Sequence, residues 1–311
     1  MPLPRLIHTA LAVLLILQVG CASGDEAVPT LPYAGKTALV TGSTDGLGRE
    51  LALALSAQGA NVIVHGRNAE RGQAVVDEIT AAGTGSARFI AADFGSMQAV
   101  RDFADTIAAA YPTLDLLVNN AGIGLLGTEP RRTSPDGYEL QFAVNYLAGW
   151  ILVNRLQPNL AAAAPSRVIN VASASADPID FDDVMLEAPG AYEAGLARAY
   201  GQSKLAQVSM TIELAPAFAA QGITMISLHP ATLMNTTMVE GLGIPPQTTV
   251  EDGRDHVMGL IDRPTLEPGA FYVEGAATEP FEPQALDSQA RARLVALSEA
   301  LTGVARGGGQ P

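Results

Sequence analysis

The sequence predicts an α/β fold, a doubly wound sheet of mainly parallel strands with helices on both faces. Three observations carry this. Seven short β-rich runs alternate with segments of helix length, each run is too uniformly apolar for a strand with one wet face, and a glycine-rich turn follows the first run. The runs are Lys36–Thr41, Asn61–His65, Ala87–Ala92, Leu114–Asn119, Arg167–Ala172, Ile223–Leu228 and Ala270–Val273. The segments Leu47–Gln58, Ala69–Ala82, Ser96–Ala110, Pro135–Ala163 and Arg198–Gln221 fit the helices between them, and a further helix is expected at Pro283–Leu301. No repeat exists beyond this alternation, so residues 32–303 read as one domain followed by a disordered tail, 304–311.

Composition narrows the function. The 311 residues are 48% hydrophobic and 16% charged, enough apolar content for a sizeable core. A formal net charge of -14 repels phosphate backbones and argues against a nucleic-acid partner. The single cysteine, Cys21, cannot form an internal disulfide, and His8, His65, His229 and His256 show no metal-ligand spacing. At the N-terminus, Arg5 precedes the apolar stretch Thr9–Gly20. As a helix it spans about 18 Å, short of the ~30 Å hydrocarbon core, and suits a signal-peptide apolar region better than a transmembrane helix. The Gly20-Cys21 pair that ends it resembles a bacterial lipoprotein signal, although Gln18 departs from the small or apolar residue usual there. An uncleaved membrane anchor or a translated upstream extension, in a cytoplasmic protein, is the alternative. Residues 1–31 are therefore set apart from the fold.

The first turn reads Thr41-Gly42-Ser43-Thr44-Asp45-Gly46-Leu47-Gly48, with a helix opening inside it. Glycines let the backbone approach a ligand, and a helix N-terminus offers free N–H groups to a pyrophosphate. No Lys follows the last glycine, which excludes a Walker-type loop. The second run ends His65-Gly66-Arg67-Asn68, with Arg67 where NAD enzymes place an acid for the ribose 2′-hydroxyl. An arginine there suits the 2′-phosphate of NADP, so NADP is expected over NAD, with Asp45 as the opposing charge.

Tyr200 and Lys204 stand four residues apart in a helical segment, so phenol and ammonium share one face. A lysine charge at about 4.5 Å, with an effective dielectric near 20, is worth roughly 3.7 kcal/mol. That predicts a phenol pKa lowered by about two to three units from ~10, useful for acid–base work near neutrality. Lys36 and Lys204 are the only lysines of the chain. Further along the strand ends come Asn119-Asn120-Ala121-Gly122, then Asn145 in the next helical segment, then Ser173 after the fifth run.

This ordered set resembles the short-chain dehydrogenase/reductase family over about residues 33–303, and the Ser134–Asn145 and Tyr200–Leu205 segments look most like its retinol-dehydrogenase-like branch. The resemblance implies a seven-stranded Rossmann sheet. It implies Tyr200 as general acid–base, Ser173 bonding the substrate oxygen, Lys204 lowering the tyrosine pKa and holding the nicotinamide ribose, and Asn145 positioning a water. It also implies that Asp93 contacts adenine, with a helix cap as its alternative, and that Asn120 lines the cofactor trough. Pro230-Ala231-Thr232 resembles the segment beside the nicotinamide amide, with Ala231 in place of a glycine and Asn235 and Thr236 sharing the position of a threonine. The family often forms dimers and tetramers through the helices carrying Asn145 and Tyr200, so a homo-oligomer is expected.

Thr232–Pro268 is the expected substrate cover, and Leu233, Met234, Met238, Val239 and Leu242 suggest either an apolar lining or a lid packed on the core. The function that follows is hydride transfer between NADP and an alcohol or carbonyl carbon of a small, apolar molecule. A non-catalytic NADP-binding sensor, or an interaction module outside the cell, are the alternatives on this fold; the retained Ser173, Tyr200 and Lys204 argue against them.

Overall fold

A computed structural model describes residues 31–124, 131–192 and 198–307. Leu31–Pro311 forms one compact unit. The N-terminal signal-like segment, and residues 308–311 of the tail, lie outside the described residues.

Eight strands form one sheet: β1 (Thr37–Val40), β2 (Asn61–Gly66), β3 (Ser86–Ala91), β4 (Leu116–Asn119), β5 (Ser166–Val171), β6 (Ile223–His229), β7 (Phe271–Val273) and β8 (Ala276–Thr278). Their order is β3-β2-β1-β4-β5-β6-β7-β8, parallel except for the β7–β8 pair. The chain winds outward in both directions from the β1–β4 junction. A crevice therefore opens beyond the carboxyl ends of these strands, the place where such sheets bind ligands.

The uniform apolarity of the runs has a direct cause. In β1, Leu39 packs with Ile63, Leu117 and Val168 into one core layer, while Ala38 and Val40 join Val62, Val64 and Val118 on the opposite face. Both faces are dry, so every position is apolar. Helices α1 (Gly46–Ala57) and α2 (Ala69–Ala82) cover the second face; α3 (Met97–Ala110) and the helix carrying Trp150 cover the first. The edge strand β3 departs from the expectation: its residues alternate between exposed and half-buried.

Three expected elements take other forms. Pro135–Ala163 is not one helix. Residues around Gly137 (φ 87°) make a turn, Phe142–Leu147 is π-helical and runs into α4 (Ala148–Arg155), and α5 (Gln157–Ala162) begins afresh. Pro158 explains the break, because proline is tolerated in a first turn and not in a helix interior. Likewise Pro283–Leu286 is a separate 3₁₀ turn before the C-terminal helix, whose cap is Asp287. The eighth strand arises because Glu274 (φ 48°) and Gly275 (φ 82°) close a two-residue hairpin with positive φ at both central positions.

The remaining helices are α6 (Arg198–Ala219), α7 (Thr237–Glu240), α8 (Val250–Ile261) and α9 (Ser288–Thr302). Helix α9 lies over α6 and α4. Tyr146 Oη meets Ser298 Oγ at 2.6 Å, Tyr138 Oη donates to Leu301 O at 2.8 Å, and Trp150 Nε1 donates to Val304 O at 2.9 Å. Gly307 N donates to Asn154 Oδ1 at 3.0 Å, so residues 304–307 are pinned to the body where a disordered tail was expected. The helices carrying Asn145 and Tyr200, on which the resemblance placed subunit contacts, also meet α9 of their own chain, through Tyr146 and along α6. Among the described residues no helix is long and apolar enough to cross a membrane.

Candidate active site

The β1–α1 turn is locked from below. Thr41 Oγ1 accepts from Asn120 N (3.0 Å) and Ala121 N (2.9 Å), and Asn120 Nδ2 donates to Thr41 O at 2.9 Å and Gly42 O at 3.3 Å. Asn120 and Ala121 thus hold the glycine loop rather than merely lining it, a role for Thr41 that spacing alone does not reveal. A Cβ on Gly42 (φ 64°) would sit 2.8 Å from Ala121 Cα, and one on Gly48 would overlap the Gly42 carbonyl and the Asn120 amide. Ser43 Oγ donates to Val40 O at 2.7 Å and accepts from His65 N at 2.9 Å. His65 Nδ1 accepts from Gly42 N at 3.0 Å, which leaves Nε2–H to donate to Ala92 O at 3.2 Å. Burial holds His65 down at about 4, so it stays neutral and keeps this tautomer near neutral pH.

Asp45 is the N-cap of α1: it accepts from Gly46 N at 2.8 Å, from Thr237 Oγ1 at 2.9 Å and from Arg71 Nη1 at 3.4 Å. Arg71 therefore offsets the acid that stood against a 2′-phosphate, although the exposed ion pair itself adds little stability. Thr44 and Asp45 border a cleft of about 390 Å³ shared with Arg49, Arg71 and Thr237. Arg67 is exposed beside it, at the end of β2. Asn68 caps α2 through Arg71 N (2.9 Å), and so serves the helix as well as the loop. Asp93 is exposed and accepts from Gly95 N at 3.0 Å. The cap of α3 is Ser96, not Asp93. The glycine turn packs too closely for side chains and ends on a helix N-terminus, and an exposed arginine stands beside it. Together these fit a dinucleotide.

Tyr200, Lys204, Ser173, Asn145 and Gly122 converge at the carboxyl ends of β4 and β5. Ser173 accepts from Ser175 N at 3.0 Å, and its hydroxyl lies close enough to the Tyr200 phenol to draw that group's pKa down. Lys204 Nζ lies 5.6 Å from the centre of the Tyr200 ring and donates to Val171 O (2.9 Å) and Gln207 Oε1 (3.0 Å), leaving its third proton for a ligand. A Cβ on Gly122 would come within 3.5 Å of that ammonium and 3.3 Å of Asn145 Oδ1, so the glycine keeps this corner open. Asn145 sits in the π-helical turn, a form frequent at functional sites. Its Nδ2 donates to Ile123 O and Ser203 Oγ, both at 3.0 Å, and its Oδ1 accepts from Ile123 N at 2.8 Å. Both amide protons are taken, so the side chain ties the β4 loop to α6.

The electrostatics reverse one expectation. Burial raises the Tyr200 phenol above its ordinary value, with the Ser173 hydroxyl acting the other way, and burial lowers Lys204 to about 7. Spacing alone sets the lysine charge against a solvated phenol. In the folded protein both groups are desolvated and the ammonium is aimed at Val171 and Gln207.

After β6, Pro230 O accepts from His256 Nδ1 at 2.8 Å, Ala231 is buried, and Thr232 Oγ1 meets His229 Nε2 at 3.1 Å. Asn235 Oδ1 accepts from Val250 N (2.7 Å) at the start of α8, and Thr236 caps α7, so both side chains serve helix ends. Of the expected apolar lining, Met234 and Val239 pack inward, Met234 against Gly253. Met238 is exposed and close to Gly124, where an added Cβ would meet its Sδ at 3.2 Å and Tyr200 Cδ2 at 3.9 Å. Gly48→Ala would drive a methyl into the Gly42 carbonyl. It should cost about 1–3 kcal/mol of stability and weaken dinucleotide binding at least about tenfold, read by thermal melting and cofactor fluorescence.

Comparison with known proteins agrees with this geometry. A profile described as short chain dehydrogenase matches residues 36–182. Human retinol dehydrogenase 13 is 32% identical over 325 residues, covering 98% of this chain and 95% of its own. Mouse polyprenol dehydrogenase is 38% identical over 227 residues, 68% of this chain and 66% of its own. A metagenomic short-chain oxidoreductase solved in complex with NADP is 26% identical with a TM-score of 0.59, over 76% of this chain and 96% of that one. A Rossmann sheet, a glycine turn on a helix N-terminus and a Ser-Tyr-Lys cluster beside it, in a chain so similar to these proteins over its length, have one reading: the chain belongs to the short-chain dehydrogenase/reductase family and resembles its retinol dehydrogenases.

Proposed function

We propose that this protein is an NADP-preferring oxidoreductase that interconverts an apolar, isoprenoid-like alcohol and its carbonyl compound, with Tyr200 as the acid–base. The carrying observation is the convergence of Ser173, Tyr200 and Lys204 at the mouth of the glycine-turn crevice. The nicotinamide supplies or accepts the hydride. The chain's own residues handle binding and the proton. Gly42–Gly48 and the α1 N-terminus hold the pyrophosphate, with Ala121, Gly122 and Pro230-Ala231-Thr232 along the trough. Arg67 takes the 2′-phosphate, Asp93 the adenine, and the third proton of Lys204 the nicotinamide ribose. Ser173 fixes the substrate oxygen. Tyr200, kept protonated by its burial, donates to that oxygen as a carbonyl is reduced, so no free alkoxide develops.

The apolar class of substrate draws on Met238 beside Tyr200 and on relatives named for retinol and polyprenol, both isoprenoid alcohols. The Thr9–Gly20 stretch and Cys21 support a membrane tether, tested by fractionating the full chain against one lacking residues 1–30.

Fluorescence titration separates the cofactors. NADPH should bind at least about tenfold more tightly than NADH, and Arg67→Asp should reverse the order, since a charge-assisted bond to phosphate is replaced by repulsion. Tighter binding of NADH by the unsubstituted protein would overturn the preference, and binding of neither would overturn the enzyme reading.

A further inference from the structure

Lys204 is 4% exposed and Gln207, one helical turn further on, is 1% exposed. An ammonium removed from water in this way loses its proton readily unless oxygen acceptors replace the lost hydration. Two acceptors reach it: Val171 O, which belongs to the sheet, and Gln207 Oε1 at 3.0 Å, the only one of the two that a substitution can alter. Gln207 is itself anchored in a buried chain of polar groups. Its own carbonyl accepts from Thr211 Oγ1 (2.7 Å), Thr211 Oγ1 accepts from Asn170 Nδ2 (2.9 Å), and Asn170 Oδ1 accepts from Asn119 Nδ2 (2.8 Å). This chain crosses from β4 through β5 to α6 directly behind the site. A buried glutamine side chain is costly unless its polar atoms are paired, and its oxygen is paired with this ammonium.

We propose that Gln207 is a positioning residue for Lys204: its side-chain oxygen fixes the ammonium beside Tyr200 and keeps it in the charged form that the reaction needs. The inference rests on the proposed role of Lys204. The other groups facing that ammonium are Tyr200 on α6, whose ring centre lies at 5.6 Å, and His229 on β6, whose imidazole is pushed down by burial and, to a smaller degree, by the Lys204 charge. Glu274, beyond His229 after β7, acts on that imidazole in the opposite sense. With His229 neutral and the phenol protonated, neither supplies the counter-charge, which leaves the ammonium dependent on its two oxygen acceptors.

The chain has two lysines, so the test is direct. In protein carrying lysine labelled with ¹³C at Cε, nuclear magnetic resonance gives one signal for Lys36 and one for Lys204, and Lys36→Arg assigns them. The Lys204 midpoint starts near 7 in the unsubstituted protein. Gln207→Met should move it down by about one to two pH units, the worth of a hydrogen bond to a charged group, and Gln207→Glu should move it up. The pH profile of kcat/KM should shift in the same order, its alkaline limb falling earliest in Gln207→Met. A merely structural glutamine would leave the midpoint in place in Gln207→Met, and that result overturns the proposal. If Gln207→Met does not fold, Gln207→Glu decides alone, because a midpoint that fails to rise is equally fatal. Lys204→Met keeps the two readings distinguishable. Full activity in Lys204→Met overturns the role of Lys204 itself; an inactive Lys204→Met with unmoved midpoints overturns the role of Gln207 only.

Discussion

Tyr200→Phe should lower kcat by about 10²–10⁴-fold while leaving NADPH binding within about twofold, measured by steady-state carbonyl reduction and by cofactor fluorescence. The substitution removes one oxygen from a part-buried ring and leaves its packing in place. Ser173 retains the bond from Ser175 N at 3.0 Å, so the loop after β5 should hold its form. What disappears is the proton for the substrate oxygen. Without it, hydride arrival would leave an alkoxide in a desolvated corner, which is the costly state that a general acid avoids. The burial that raises the phenol above its ordinary value also predicts the shape of the pH dependence. The phenol should stay protonated throughout the range in which Lys204 is charged, so the alkaline limb of carbonyl reduction should follow the Lys204 midpoint and not the ionisation of Tyr200.

Lys204→Met should have two effects of opposite sign, loss of at least about 100-fold in kcat/KM and a gain in thermal stability. Methionine fills the space of the lysine stem without a charge to desolvate. The folded-state value near 7 lies below that of lysine in an unfolded chain, about 10.4, so between those limits the unfolded chain binds more protons and stability rises with pH. Below about pH 7 both states are protonated and the burial penalty is present in full. The melting temperature of Lys204→Met should therefore exceed that of the unsubstituted protein most clearly at pH 6 and by less at pH 9. Val171 O and Gln207 Oε1 lose their donor in the variant and offset part of the gain, so the net rise at pH 6 should be about 1–2 kcal/mol, or roughly 2–6 °C. A drop in melting temperature at pH 6 would mean that the ammonium stabilises the fold rather than straining it.

The doubly wound order was legible in the sequence for a physical reason. Leu39 and Val40 point to opposite faces and both are fully buried, so a strand of this sheet can be read from apolarity alone. Where that condition fails, so does the reading. Ala276–Thr278 is exposed to half-buried and carries no apolar pattern, so the eighth strand shows only through the hairpin that Glu274 and Gly275 close. The π-helical turn under Asn145 leaves no signature in residue types, and its apolar spacing reads as ordinary helix. Candidate site residues were legible where chemistry demands a rare pattern, as with a tyrosine four residues before one of only two lysines. Their electrostatics were not. Spacing suggests that the lysine charge reaches the phenol, whereas only the folded protein shows that both groups are shifted by burial and that the ammonium is aimed at Val171 O and Gln207 Oε1. Thr41 is similar: a threonine ending a strand is unremarked in sequence, yet its hydroxyl binds the backbone of both Asn120 and Ala121.

Hydride transfer by this chain is read most directly by isotope. The full chain is incubated with all-trans-retinal and NADPH deuterated at the nicotinamide C4, and the product is examined by mass spectrometry. Direct hydride transfer predicts retinol carrying one deuterium on the carbinol carbon from one face of the nicotinamide, with formation lost in Tyr200→Phe. Retinol without deuterium from either C4 position, or no alcohol from retinal or any longer isoprenoid aldehyde, would contradict it.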